Sequence, residues 1–405
     1  MNNKLVKAMK EKMKSAGLYP LKDQAQTAQK VLEERLTKLV PLAMEEAHVD
    51  CWVNISREYC EDPVFRSLVS WDMPNAHRLN IILFIQKEGE NLRRYAIGGF
   101  SELSLAFYES LNQKGKSEWD ILGDILKKEN PSSIAINKSS VLAIADGLTA
   151  TMETELTRTL PQVLQSRLCS SENVVVSYMQ RVTDFERKLM ETIVEVTHDM
   201  IDYAFSKEAI SVGQTTTTDL EWLIRDMMGQ LETDFWFGPD IDLQRQGSSV
   251  SRMFHETIEY GDLLHCDIGF KPKFINLHSD VQSLAYVLKE NEENPPEGII
   301  KVLKAGNTFQ EIVMEAMEEG KTGNRIFLEA LEKAKNLGLK PMLYTHPLGT
   351  YGHGAGPVFG QYGKQEALPG RGDFIVRNNT CYALELNRLT SVPEWDGQEV
   401  FAYLE

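Results

Sequence analysis

The 405-residue chain is 42% hydrophobic, 25% charged and 9% aromatic, a globular mixture that excludes a disordered, collagenous or membrane-embedded class. Forty-three Lys and Arg against 59 Asp and Glu leave a net charge of −16, a field that repels nucleic-acid backbones and anionic lipid, so neither nucleic acid nor a membrane is expected as a partner. The length exceeds what one hydrophobic core usually spans, and two domains are expected.

Leu5, Val6, Met9 and Met13 recur at helical spacing up to Gly17, and a second helical pattern runs through Val31, Leu32, Leu36 and Leu39. The lysines in the first stretch leave no apolar core of signal-peptide length, and the five scattered cysteines (Cys51, Cys60, Cys169, Cys266, Cys381) form no CxxC pair. A cytoplasmic protein with free thiols is expected. Strand-like runs follow at Cys51, Asn80, Arg93 and Ser132 with helical or polar stretches between them, which predicts an α/β first domain over 1–180.

The second domain, 181–405, opens with Thr183 and Glu186 spaced as a capping box ahead of a long amphipathic helix. Two more such boxes, Thr218 with Glu221 and Thr308 with Glu311, predict further helix starts, and Asn324 is expected to cap a helix ending at Gly338. Strand-like segments lie between and after these helices: LLHCDIGF, NLHSDVQSLAYVL, PMLYTH, TCYALELN and EVFAYL. The expected class of this half is α+β.

Four of those five segments carry an acid at an interior position: Asp267, Asp280, Glu385 and Glu399. In CYALELN the apolar Tyr382, Leu384 and Leu386 share one strand face, which turns Glu385 to the other; the same parity groups Asp267 with His265. A lone strand acid is ordinarily solvated. Several acids converging on one point would repel unless a positive charge sat among them, and a hard divalent cation is the usual solution. The fifth segment ends at His346, and His353 follows in a glycine-rich turn that would let backbone approach a ligand, although a turn histidine can equally serve its own backbone. His278, two residues before Asp280, is either a supporting residue of such a site or exposed. His255-Glu256 lacks the second histidine of a zincin helix, the glycines around His353 lack the Lys-Ser/Thr of a phosphate loop, and no GxSxG elbow occurs, so covalent catalysis is the weaker class.

The ordered set Asp267, Asp280, His346, Glu385 and Glu399, with HPLGTYGHGAGP, TCYALELN and VPEWDGQEV around its last three members, resembles the pita-bread metallopeptidase family of methionine aminopeptidase, Xaa-Pro aminopeptidase, prolidase and creatinase. The resemblance covers about 181 to 405, and the first domain is similar to the N-terminal domain of the creatinase and prolidase branch. It implies a C-terminal pita-bread fold holding two divalent ions, Mn²⁺ first, with Zn²⁺, Co²⁺ or Fe²⁺ as alternatives. Asp267 would bind one ion, Asp280 and Glu399 would bridge both, and His346 and Glu385 would complete the other site. A hydroxide between the ions would be the nucleophile, Glu385 the proton shuttle and His353 the donor to the substrate oxyanion. A homodimer is also implied.

The sequence departs from that pattern in three places. The interval from Asp267 to Asp280 is 13 residues, about two more than the family pattern, the second aspartate is followed by Val281-Gln282 instead of Thr-Arg, and no histidine stands in the upstream segment PDIDLQRQGSSV. Arg245 is the polar candidate there, either pairing with a substrate carboxylate or locked in a structural salt bridge. The expected activity is hydrolysis of short Xaa-Pro peptides. The alternatives are a hydrolase or lyase acting on a small carboxylate metabolite and, from another class, a non-catalytic binding module.

Overall fold

A computed structural model describes residues 3–405. The chain divides into two compact units, Ala25–Thr183 and Met1–Gln24 with Asp184–Glu405. The first helix, Asn3–Ser15, therefore belongs with the second unit and not with a domain spanning 1–180. It packs on the long helix Asp184–Ala204, and Lys12 pairs with Asp199 at 2.7 Å.

The unit Ala25–Thr183 is built on a mixed sheet of β1 (Cys51–Arg57), β2 (Leu79–Ile85), β3 (Arg93–Gly98), β4 (Glu109–Ser110), β5 (Ile134–Ile136) and β6 (Leu168–Ser170), in the order 4-3-2-1-5-6. β1 alternates in content while staying buried on both faces. Cys51, Val53 and Ile55 meet Ile121, Leu122, Met152 and Leu156 of the helices Glu118–Glu129 and Ala150–Thr159. On the other face Trp52 stacks on Phe84 and meets Tyr178 of the helix Glu172–Gln180 edge-on. Burial on both faces is what a sheet with helical cover requires.

The second unit repeats one plan twice: two helices followed by a three-stranded antiparallel sheet. The helices Asp184–Ala204 and Thr217–Gln230 precede β7 (Thr233–Gln244), β8 (Leu263–Pro272) and β9 (Val281–Tyr286), in the order 7-8-9. The helices Glu297–Ala316 and Gly323–Asn336 precede β10 (Pro341–Leu343), β11 (His346–Leu348), β12 (Cys381–Ala383), β13 (Leu386–Val392) and β14 (Gln398–Leu404). Here the sheet order is 10-13-14, and β11 and β12 form a separate antiparallel pair. Phe309, Ile312, Phe327 and Ala330 of the second helix pair bury Leu343, Leu386 and Leu404. Among the described residues no helix is long and apolar enough to cross a membrane.

Three helix signals fall elsewhere than the sequence suggests. Thr216 with Asp219, not Thr218 with Glu221, forms the capping box of the helix Thr217–Gln230. Thr308 lies inside the helix Glu297–Ala316, where its hydroxyl donates back to the Lys304 carbonyl at 3.0 Å. Thr322 caps the helix Gly323–Asn336, and the Asn324 side chain instead holds the loop around Leu368, accepting from its N–H at 2.7 Å.

Candidate metal centre

Each strand delivers its acid by the alternation of side chains. Cys266 and Ile268 on β8 are fully buried in apolar packing, which turns Asp267 to the opposite face, and the ladder aligns Asp267 with Asp240 of β7 and Gln282 of β9. Asp280 stands immediately before β9. His346 opens β11, paired with Ala383 of β12, and its Nδ1–H donates to the Pro347 carbonyl at 3.1 Å, leaving Nε2 bare. Glu385 sits where the chain passes from β12 to β13; its carbonyl is held by the Tyr344 N–H at 3.1 Å and the Thr345 hydroxyl at 3.2 Å.

These elements bring the acids onto one point. His346 Nε2 lies 3.5 Å from Asp280 Oδ2 and 3.6 Å from Glu385 Oε2. One ligating atom each from Asp280, His346 and Glu405 lies within 4.8 Å of the others. Glu405, not Glu399, is the acid β14 brings to the cluster. Glu399 pairs with Ser391 across the ladder, half exposed, and forms an ion pair with Lys340. Glu399 and Glu405 share a strand face, but six residues separate them, and the core end of the ladder, Leu386 opposite Leu404, lies beside Glu405.

The electrostatics are those of buried carboxylates gathered close together. Burial, with the Glu385 charge, pushes the Asp267 carboxyl up to about 7. Burial followed by the charges of Asp267 and Glu385 drives Asp280 well above the carboxylate range, and burial with Asp280, Asp267 and Glu385 does the same to Glu405. Asp267 Oδ1, His346 Nε2 and both Glu405 oxygens are buried without a hydrogen-bond partner among the described residues. Native interiors rarely tolerate such atoms unless something absent from the protein chain completes them. Four carboxylates and one imidazole form an oxygen-rich donor set that fits a hard or borderline divalent cation.

His353 stands beside this cluster, its ring centroid 4.6 Å from that of His346. Burial and the neighbouring His346 push its pKa down, so it works as a neutral imidazole with one N–H to give. Trp236 of β7, which the sequence reading missed, meets His353 edge-on at 5.2 Å and donates its indole N–H to the Ser279 carbonyl at 3.0 Å. Gly352 and Gly269 make room for that indole, since a Cβ at either position would run into it. His278 does not face a substrate space. It is buried, its Nδ1–H donates to the Gly349 carbonyl at 3.1 Å, and burial lowers its pKa to about 4, so it braces the loop that carries His353.

Arg245 is likewise committed elsewhere. Its guanidinium grips Asp262 with two bonds of 2.7 Å and donates to the Thr257 carbonyl at 2.8 Å, which makes it the structural salt bridge and not a free carboxylate receptor. A second cation stands nearer the cluster. Arg371 lies close enough to His353 to lower its pKa and, although exposed, makes no ion pair or side-chain hydrogen bond among the described residues. Its place in a loop without strand or helix pattern left no signal in the sequence.

A duplicated helix-pair-and-sheet unit that converges four carboxylates and an imidazole in its interior defines a metallohydrolase-type pita-bread protein, here with an α/β unit before it. The chain belongs to metallopeptidase family M24, whose sequence profile matches residues 188–399, more than half of its length. Solved structures agree on the fold. The X-Pro aminopeptidase from Thermotoga maritima MSB8 superimposes with a TM-score of 0.61 at 14% identity, covering 90% of this chain and 93% of that one. The Xaa-Pro dipeptidase from Bacillus anthracis gives 0.58 at 13% identity with 92% and 93% covered, and the prolidase from Pyrococcus furiosus 0.54 at 16% with 90% and 95%. A search of curated proteins gives no significant match.

Proposed function

We propose that this family M24 protein is a metal-dependent Xaa-Pro peptidase of the prolidase type, acting on dipeptides with a free carboxylate. The observation that carries the reading is the set of buried, unpartnered ligating atoms on Asp267, His346 and Glu405, with Asp280 and Glu385 beside them. These five residues would hold two divalent ions, Mn²⁺ first, with Glu405 in the role the sequence suggested for Glu399. Such ions, when bound, make a water acidic enough to attack a peptide carbonyl near pH 7.

The protein's own groups divide the remaining work. Glu385 takes the proton at Oε2, the oxygen facing His346, and returns it to the departing nitrogen. The neutral His353 donates its N–H where negative charge builds on the carbonyl oxygen, and the edge of Trp236 fixes the ring's attitude. Arg371 takes the carboxylate of a two-residue substrate in a bidentate grip, which favours dipeptides over longer chains. The reading carries with it a cytoplasmic homodimer, for which sedimentation at micromolar concentration is the check.

Mn²⁺-loaded protein should hydrolyse an Xaa-Pro dipeptide and lose that activity with a chelator. The C-terminally amidated form should be a poorer substrate by roughly tenfold to a hundredfold, and Arg371→Ala should erase the preference mainly through KM. No hydrolysis by metal-loaded protein contradicts the peptidase reading. Equal rates on acid and amide contradict the role of Arg371.

A further inference from the structure

Gln282 stands where the family pattern has arginine, and it is buried beside the cluster with both ends of its amide engaged. Its Nε2 donates to Glu385 Oε1 at 3.1 Å, while its Oε1 lies 3.0 Å from His265 Nε2. An ionised carboxylate only accepts, so the amide nitrogen must face Glu385 and the amide oxygen must face His265. His265 Nε2 therefore carries the hydrogen in that contact. Its Nδ1 lies 2.8 Å from Asp242 Oδ2, and Asp242 is held in its ionised form by His265 and Arg252 against the opposing effect of burial. Behind the pair, Arg252 donates to Asp242 from Nε at 2.9 Å and reaches Asp240 at 3.3 Å.

The result is one continuous polar line, Arg252–Asp242–His265–Gln282–Glu385, running across the β7-β8-β9 sheet into the cluster. Its end has a geometric consequence. Glu385 presents one oxygen, Oε1, to Gln282 and the other, Oε2, to His346. A hydrogen bond at one carboxylate oxygen favours a single orientation of the group, so the lone pairs of Oε2 are biased toward the side of His346.

We propose that Gln282 is a positioning residue that fixes the orientation of Glu385, with His265 and Asp242 fixing Gln282 in turn. This rests on Glu385 being a metal ligand and proton acceptor, as proposed above. Groups of this kind behind metal ligands typically tune affinity or activity by about 10–100-fold.

The test uses the full-length protein, with Mn²⁺ affinity measured by calorimetry and turnover of an Xaa-Pro dipeptide measured separately. Gln282→Met keeps the volume and removes both polar contacts; Gln282→Asn keeps the polarity but is one methylene too short to span them. Both variants should bind Mn²⁺ roughly 10–100-fold more weakly. At saturating metal, kcat should fall while KM changes less than about twofold, a split that general loosening of the fold would not produce. His265→Gln should lose less when added to Gln282→Met than when made alone, because the line is already cut. Wild-type affinity and kcat in either folded variant, or fully additive losses in the double variant, would overturn the positioning role while leaving the metallopeptidase reading intact. A wild-type protein that takes up no Mn²⁺ would instead remove both.

Discussion

Asp242 and Asp280 are both deeply buried carboxylates of the same unit, yet their surroundings are opposite. Asp242 has Arg252 and His265 against it and is held below the usual carboxylate range although burial works the other way. Asp280 is pushed well above it by burial and, with it, by the neighbouring charges of Asp267 and Glu385. A buried charge with its counter-charges supplied by the chain is complete as it stands; a buried cluster of like charges is stable only when the missing positive charge comes from outside. The contrast separates an acid that organises the fold from acids that serve chemistry. Burial alone would not have told them apart. Asp62 in the other unit makes the same point: burial raises it to about 6, but Val64 and Asn137 give it hydrogen bonds, and the charge of Asp146 adds only the smallest of the effects on it.

Removing the chain's own counter-charge should have the largest effect on folding. Arg252→Met strips Asp242 of its guanidinium while keeping part of the side-chain volume over Tyr403 and Phe254, and is expected to destabilise the protein by about 3 kcal/mol in urea titration. A loss below about 0.5 kcal/mol would mean that His265 alone compensates Asp242. The metal-free cluster should respond in the opposite sense. With its folded pKa raised from 3.8 to about 7, Asp267 contributes stability that is complete below pH 3.8 and lost as pH rises to about 7. Asp267→Asn should therefore stabilise the metal-free protein by about 2 kcal/mol at pH 7, with the gain vanishing near pH 4. Added Mn²⁺ should reverse the order, because the wild type binds it more tightly. A metal-free variant less stable than wild type at pH 7 would contradict the idea that the cluster repels itself.

The sequence was most legible where an acid interrupts an apolar strand. Asp267, Asp280 and Glu385 stand out for that reason, and His346 and His353 through the glycine-rich turn that joins them. β14 was ambiguous because it offers two acids of the same parity, and only its register against β13 shows which one reaches the interior. Gly306-Asn307-Thr308 reads as a break with a new helix start, but the helix runs straight through. Gly306 is there because a Cβ would collide with Leu404 of β14, a packing constraint invisible along the chain. The threonine run 215–218 offers two overlapping capping boxes, and hydrogen bonding to Asp219 selects Thr216. Arg245 departs from its expected part for a similar reason. A cation is free or committed according to which acids folding brings beside it, and Asp262 lies 17 residues from Arg245 across a turn the sequence does not reveal.

The claim that the uncompensated cluster is a metal centre is tested most directly by elemental analysis after equilibrium dialysis against Mn²⁺, comparing wild type, Glu399→Ala and Glu405→Ala. The structure predicts about two ions per chain for wild type and for Glu399→Ala, and no more than one for Glu405→Ala. Equal loading of wild type and Glu405→Ala, or loss of metal only in Glu399→Ala, would contradict it.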